Sequence, residues 1–197
     1  AELLALAYQR TGEPEEAAEL YRRILQVAPV TAARLALARV EWRQGRIREA
    51  REQVALLSDA SGEEARQAEL LRIACELRQA SQEKRPPKDG PSLRKTLEDI
   101  AATRPSDEAV IGLLAQCLAL LGESARAVEL LGGWTADTPA VAGAAAELGG
   151  LLLAEKQFEA AAALADRLLT RFPDTPQGHV LHVRTIARSG RLPDAAA

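Results

Sequence analysis

The second half of this 197-residue chain repeats itself at a fixed interval. Pro105, Pro139 and Pro173 are each 34 residues apart. A second series keeps the same 34-residue interval and runs through Leu93, Ala127, Ala161 and Ala195. Upstream, Ala17 and Ala50 are 33 residues apart. A period of this length indicates a repeat protein, in which each unit buries its apolar face against the neighbouring units.

Each unit contains two apolar stripes at helical spacing, separated by a short turn. In the first unit Gly12 ends one predicted helix and Pro29 ends the next. Glycine suits the left-handed residue after a helix, and proline interrupts helical hydrogen bonding. In the second unit Glu41 stands where the first has Tyr8, which predicts a more hydrated seam between helices there. The pattern predicts an all-α chain built from antiparallel helix pairs.

The composition agrees with a helical chain that stays in water. Hydrophobic residues make up 47% and aromatic residues only 3%, and the apolar content is mostly Ala and Leu, which form helices readily. The longest apolar candidate, 140–154, is interrupted by Glu147 and three glycines, so we expect no membrane insertion. The net charge of −3 gives no general positive field that would attract nucleic acid.

The recurring residues resemble the tetratricopeptide repeat over nearly the whole chain. That family combines Leu and a small residue, an aromatic residue, a turn, an Ala and a closing Pro. The matching residues are Leu4-Ala5, Tyr8, Ala17, Tyr21, Pro29, Leu37-Ala38, Ala50, Leu114-Ala115, Ala127, Pro139, Leu148-Gly149, Ala161 and Pro173. The resemblance implies a right-handed α-solenoid of antiparallel helix pairs, with about five full repeats and a partial sixth. Leu93 replaces the usual Ala of the third unit, which leaves related helical-pair repeats open for that unit.

The third unit contains an inserted polar segment at 81–91, with three prolines and one glycine. This composition is typical of a loop or linker. It divides the chain into N-terminal repeats with the first helix of repeat three at 1–80, and C-terminal repeats at 92–197 that stop within a unit. We interpret the segment as a hinge or a secondary contact site.

The resemblance also implies that the first helix of each pair lines a concave groove. The side chains that leave the packing stripe on this face are Arg10, Leu35, Arg39, Trp42, Arg43, Leu71, Arg78, Gln116, Arg184 and Arg188. Arginines lie at both ends of the predicted groove, small apolar residues lie in its middle, and acidic residues are absent from it. Because guanidinium groups pair with carboxylates, we hypothesise an acidic or C-terminal peptide ligand, with Arg39, Arg43 and Arg78 as anchors and Trp42 as a stacking wall. The alternative is that these arginines are ordinary solvated residues and that Trp42 packs between units.

Other kinds of chemistry lack the residues that they need. His179 and His182 are three apart and without cysteine or nearby carboxylate ligands, so we expect no metal site. Cys75 and Cys117 have no metal-type or disulfide-type spacing, and we predict that both are small buried residues on helices. A glycine-rich phosphate loop followed by Lys and Ser or Thr is also missing. We therefore expect no enzymatic activity and no cofactor.

The leading interpretation is a protein–protein interaction scaffold that binds a peptide or partner protein in its groove. The chain has no methionine and begins and ends within helical patterns, so we expect it to be part of a larger protein, and its richness in Ala, Leu and Arg suggests that this protein is bacterial. Three alternatives are a periplasmic scaffold of an exopolysaccharide export or secretion system, a self-association module using the terminal repeats, and an RNA-binding helical repeat. The net negative charge and scarce aromatics disfavour the last. The sequence leaves the cytoplasm and the periplasm both open.

Overall fold

A computed structural model describes residues 13–105, 107–133, 139–154, 156–171, 173 and 176–189. All regular secondary structure in these ranges is helical. The helices are α1 (Pro14–Val27), α2 (Thr31–Arg43), α3 (Ile47–Ala55), α4 (Gly62–Glu83), α5 (Gly90–Thr103), α6 (Glu108–Leu120), α7 (Ser124–Gly133), α8 (Pro139–Ala154), α9 (Phe158–Arg171) and α10 (Pro176–Ser189).

The chain divides into two compact units, Ala1–Gln79 and Ala80–Ala197. The connection after α4 is shorter than the predicted segment at 81–91. Residues 81–83 continue α4, and α5 begins at Gly90 with Pro91 in its first turn, where proline costs no helical hydrogen bond. The turn at 84–89 opens with Lys84, whose φ of 51° lies in the left-handed region.

The first unit is held together by small residues that let its helices approach closely. Ala17 and Ala18 of α1 are fully buried against α2. Tyr21 fills the space beside them and packs with Leu37 and Val40. Gly45, with a φ of 78°, makes the turn between α2 and α3, because glycine adopts this conformation without steric cost. The result is a stack of helices joined by short turns.

The second unit follows the same nearest-neighbour arrangement. Each described helix packs against the next helix, and α6, α7 and α8 also pack against the next but one. The alanines at 115, 127, 161 and 165 have no exposed surface, and Leu148 and Leu152 of α8 lie in the core. This pattern is what a repeat array requires, since each helix pair contacts only its neighbours. Trp134, which the apolar stripe predicts to be core, lies outside the described residues.

Both cysteines are free and fully buried, which confirms the prediction made from their spacing. Cys75 packs with Ile47 and Ala50 in the first unit. In the second unit the Cys117 thiol donates to the carbonyl of Gly90 at 3.8 Å. Neither sulfur is available to a reagent unless its unit opens.

We expect the native protein to resist thiol reagents at pH 8. Burial raises the pKa of the Cys75 thiol to about 11, although the positive charges of Arg51 and Arg78 oppose the shift. At pH 8 only about one thiol in a thousand would then be ionised, and the thiolate is the reactive form. Labelling with a chromogenic disulfide should therefore be slow in buffer and complete within the dead time in denaturant. Rapid labelling of Cys75 in buffer would contradict this packing.

Candidate functional site

One face of α2 carries two cationic side chains around a tryptophan. Arg39, Trp42 and Arg43 are spaced three and four residues apart, so they lie on one side of the helix. Arg39 and Arg43 are exposed, and Trp42 is half-buried. The sequence-predicted grouping of these three residues is thus present as a surface of the first unit.

Arg78 of α4 joins this surface through two contacts with Trp42. Its guanidinium carbon lies 5.0 Å from the centroid of the indole ring, which is within the range of a cation–π interaction. Its Nη1 donates to the Trp42 backbone carbonyl at 3.2 Å. These contacts fix the position of Arg78, so one face of the indole is already occupied. We call Arg39, Trp42, Arg43 and Arg78 the arginine–tryptophan surface.

The buried edge of Trp42 packs against two small apolar clusters. One consists of Ala38, Val54 and Leu71, and the other includes Ile47. Trp42 therefore packs between helices, as the alternative interpretation of the sequence predicted, and also contributes to the surface. Its Nε1 is buried and has no hydrogen-bond partner among the described residues.

Two predicted groove residues lie in the core instead of on the surface. Leu35 is 3% exposed and packs with Leu57 and Ala68, and Leu71 is 7% exposed. The physical reason is that α4 packs against α2 at these positions. We therefore leave Leu35 and Leu71 out of the arginine–tryptophan surface.

The remaining predicted residues are not part of this surface. Arg10 lies outside the described residues. Gln116 is half-buried on α6, and Arg184 and Arg188 are exposed on α10. These three belong to the second unit, which we describe by itself.

The two exposed arginines of the surface have no described carboxylate partner. Some other arginines of the chain do pair with carboxylates, as in Arg72–Glu69 and Arg94–Glu123, both at 2.7 Å. Arg39 instead donates to the neutral Gln67 side chain at 2.7 Å. Within the described ranges, Arg43 has neither an ion pair nor a hydrogen bond. The positive charge of this surface is therefore not neutralised by a described carboxylate.

A buried charge network lies behind the surface, at Glu41. This carboxylate is 1% exposed and accepts hydrogen bonds from Arg22 of α1 and from Arg46, which precedes α3. Arg46 also binds both carboxylate oxygens of Glu15, at 2.8 and 3.0 Å. Glu41 thus connects α1, α2 and the start of α3. The hydrated seam predicted at Glu41 is therefore wrong, because the carboxylate there is buried and paired with two arginines.

The two histidines have separate surroundings. The Nε2 of His179 lies 2.7 Å from the Pro173 carbonyl, and the Nδ1 of His182 lies 3.5 Å from a carboxylate oxygen of Asp166. In the part of the chain that the structure describes, three or more potential metal ligands do not gather anywhere. A helix long and apolar enough to cross a membrane is also missing from that part.

Short helix pairs that stack on their neighbours define the class of tetratricopeptide-like repeat proteins, and two comparisons agree. Residues 2–66 match the model of the tetratricopeptide repeat family. The chain is also similar to the crystal structure of a thermophilic TPR protein in Thermus thermophilus, with a TM-score of 0.64, 19% sequence identity and coverage of 94% of this chain and 97% of that one. A search of curated proteins found no match.

Residues 2–66 are thus similar to the tetratricopeptide repeat family in sequence, and the likeness of the whole chain to the thermophilic TPR protein is one of fold. The predicted fold class, an all-α solenoid of TPR-like helix pairs, is confirmed. Proteins of this fold generally act as protein–protein interaction scaffolds and not as enzymes.

Proposed function

We propose that the arginine–tryptophan surface binds an acidic peptide segment of a partner protein. The observation that carries this proposal is the charge of α2: Arg39 and Arg43 are exposed one turn apart, and neither forms an ion pair with a described residue. Guanidinium groups form charge-assisted hydrogen bonds with carboxylates. A peptide with two acidic side chains one or two residues apart would supply the missing counter-charges.

Trp42 and Arg78 give this surface a fixed wall beside the two exposed arginines. Because Arg78 is held against the indole and the Trp42 carbonyl, little side-chain entropy remains for it to lose on binding. Arg43 is exposed and has no described hydrogen bond, so it loses more side-chain entropy when it is ordered by a ligand. We therefore expect Arg39 and Arg43 to supply the electrostatic attraction and to set the association rate, and Trp42 and Arg78 to set the shape of the contact surface.

Charge reversal of both exposed arginines should abolish most of the binding. With a fluorescent acidic peptide as the probe, Arg39→Glu combined with Arg43→Glu is expected to weaken affinity by about tenfold or more, since two attractions become two repulsions. The measurement is fluorescence anisotropy at low salt. A peptide of the same length with lysines in place of its acidic residues should not bind.

The matched control changes the same amount of charge in the same unit. Arg23 and Arg48 are exposed on α1 and α3 and form no described ion pair, so Arg23→Glu with Arg48→Glu should keep affinity within about twofold. Equal losses for the two double variants would mean that only the net charge matters. Unchanged affinity in Arg39→Glu/Arg43→Glu would end the proposal.

A further inference from the structure

The side-chain amide of Gln67 on α4 connects two charged side chains. Its Oε1 accepts a hydrogen bond from the Nη2 of Arg39 on α2 at 2.7 Å, and its Nε2 donates to the Oε1 of Glu63 at 3.0 Å. A guanidinium group only donates hydrogen bonds, and a carboxylate only accepts them. Position 67 therefore needs a side chain that accepts on one side and donates on the other, and the amide of glutamine does both.

The amide also keeps the charge of Arg39 separate from the charge of Glu63. Both carboxylate oxygens of Glu63 accept hydrogen bonds from Arg66, which lies one turn further along α4. Glu63 thus has its own counter-charge, and Arg39 forms no ion pair with any residue that the structure describes. Because the group that holds Arg39 against α4 is neutral, the guanidinium is ordered and remains fully positive.

A glutamate at position 67 would fit the same contact and would remove this charge. The ion pair of Arg94 with Glu123 also has a donor–acceptor distance of 2.7 Å. The bond from Arg39 to Gln67 therefore has the length of an ion pair of this chain and differs from it in charge. A carboxylate at position 67 would neutralise Arg39, and it would face the like charge of Glu63 four residues earlier on the same helix.

We infer that Gln67 determines the preference of the arginine–tryptophan surface for acidic ligands over neutral ones. This inference rests on the proposed function, because it names the residue that keeps one of the two binding charges without a counter-charge. Gln67 acts through Arg39 and does not have to touch the peptide, so it is a positioning residue. An acidic ligand then meets a guanidinium that is already ordered, which lowers the entropy lost on binding.

The test uses the full chain, the fluorescent acidic peptide described above and an amide peptide in which glutamine or asparagine replaces each acidic residue. Gln67→Glu is expected to weaken binding of the acidic peptide about fivefold, the upper range for one surface ion pair. The weaker binding of the amide peptide should stay the same, so the ratio of the two affinities falls about fivefold. Raising the salt from about 0.05 M to about 0.5 M should weaken the parent complex more than the Gln67→Glu complex, because one attraction fewer is screened.

Two further variants separate the charge of residue 67 from its shape and from the net charge of the chain. Gln67→Met keeps the length of the side chain and removes both hydrogen bonds. It should weaken binding of both peptides by no more than about twofold and keep their ratio, because Arg39 stays positive and loses only its order. Gln53→Glu is the matched control, because Gln53 of α3 also accepts from an arginine, Arg34 of α2, at 3.2 Å. Gln53 is not part of the arginine–tryptophan surface, so this variant should leave the ratio unchanged.

Three results would overturn the role of Gln67 and leave the proposed function intact. The first is a Gln67→Glu chain that keeps the parent ratio while Arg39→Glu/Arg43→Glu loses binding. The second is an equal fall of the ratio in Gln67→Glu and Gln53→Glu, because net charge alone would then explain both. The third is an equal fall in Gln67→Met, because order and not charge would then be the cause. A parent chain that binds both peptides equally would instead end the proposed function and this inference together.

Discussion

The variant Glu41→Ala is expected to unfold with a free energy about 3 kcal/mol below that of the parent chain. The substitution removes hydrogen bonds from two charged groups, each of which contributes about 1.5–3 kcal/mol, although Arg46 keeps Glu15 and Arg22 keeps Glu19. Here the lost carboxylate binds both Arg22 and Arg46, and it is 1% exposed. The substitution also removes the two described ion pairs that join α2 to α1 and to the residue before α3. Urea unfolding followed by circular dichroism measures the change.

Glu19 provides the matched control for Glu41. It also pairs with Arg22, at 3.6 Å, but its side chain is 65% exposed. Surface pairs of this kind contribute about 0–1 kcal/mol, so Glu19→Ala should change little. Glu41→Gln should fall between the two, because the amide keeps the shape but loses the charge. A Glu41→Ala chain as stable as Glu19→Ala would show that the network does not hold the first unit together.

The variant Gly149→Ala is expected to destabilise the second unit by about 1–3 kcal/mol, the usual cost of overpacking. Gly149 of α8 faces Leu181 of α10. An added Cβ would overlap both Cδ atoms of Leu181 and would lie 2.9 Å from its Cγ. Leu181 is 2% exposed, so its side chain has little room to move away.

The next residue gives an unusually close control. A Cβ added to Gly150 meets nothing within 4 Å, and Ala is favoured over Gly within a helix by about 1 kcal/mol. Gly150→Ala should therefore be neutral or stabilising, whereas Gly149→Ala lowers the melting temperature. Differential scanning calorimetry of both variants measures the contrast. If the two glycine variants melted together, α8 and α10 would not pack as described.

The fold could be predicted from sequence because its determinants are local. The 34-residue interval shows the length of one repeat unit directly. Within each unit, a turn glycine such as Gly45 and the small alanines at regular positions mark where the helices end and where they approach each other closely. The position of Arg39, Trp42 and Arg43 on one helix face could also be predicted, since it follows from 3.6 residues per turn.

Features that depend on contacts between helices could not be predicted in this way. Whether Leu35 lies in a groove or in the core depends on α4, and its neighbour Ala68 is 33 residues away. The ion pair between Glu41 and Arg22 joins residues 19 apart, and nothing in the local pattern of either residue marks it. The stacking of Arg78 on Trp42 is likewise a contact across 36 residues.

The most direct test of the central claim is to observe the arginine–tryptophan surface while an acidic peptide binds. The full chain is labelled with ¹⁵N, and its side-chain N–H resonances are followed by NMR while the acidic peptide probe is added. We predict that the Trp42 indole and the Nε–H groups of Arg39 and Arg43 shift together with one affinity, while those of Arg23 and Arg48 stay unchanged. Saturable binding that leaves Trp42, Arg39 and Arg43 unperturbed would contradict the account.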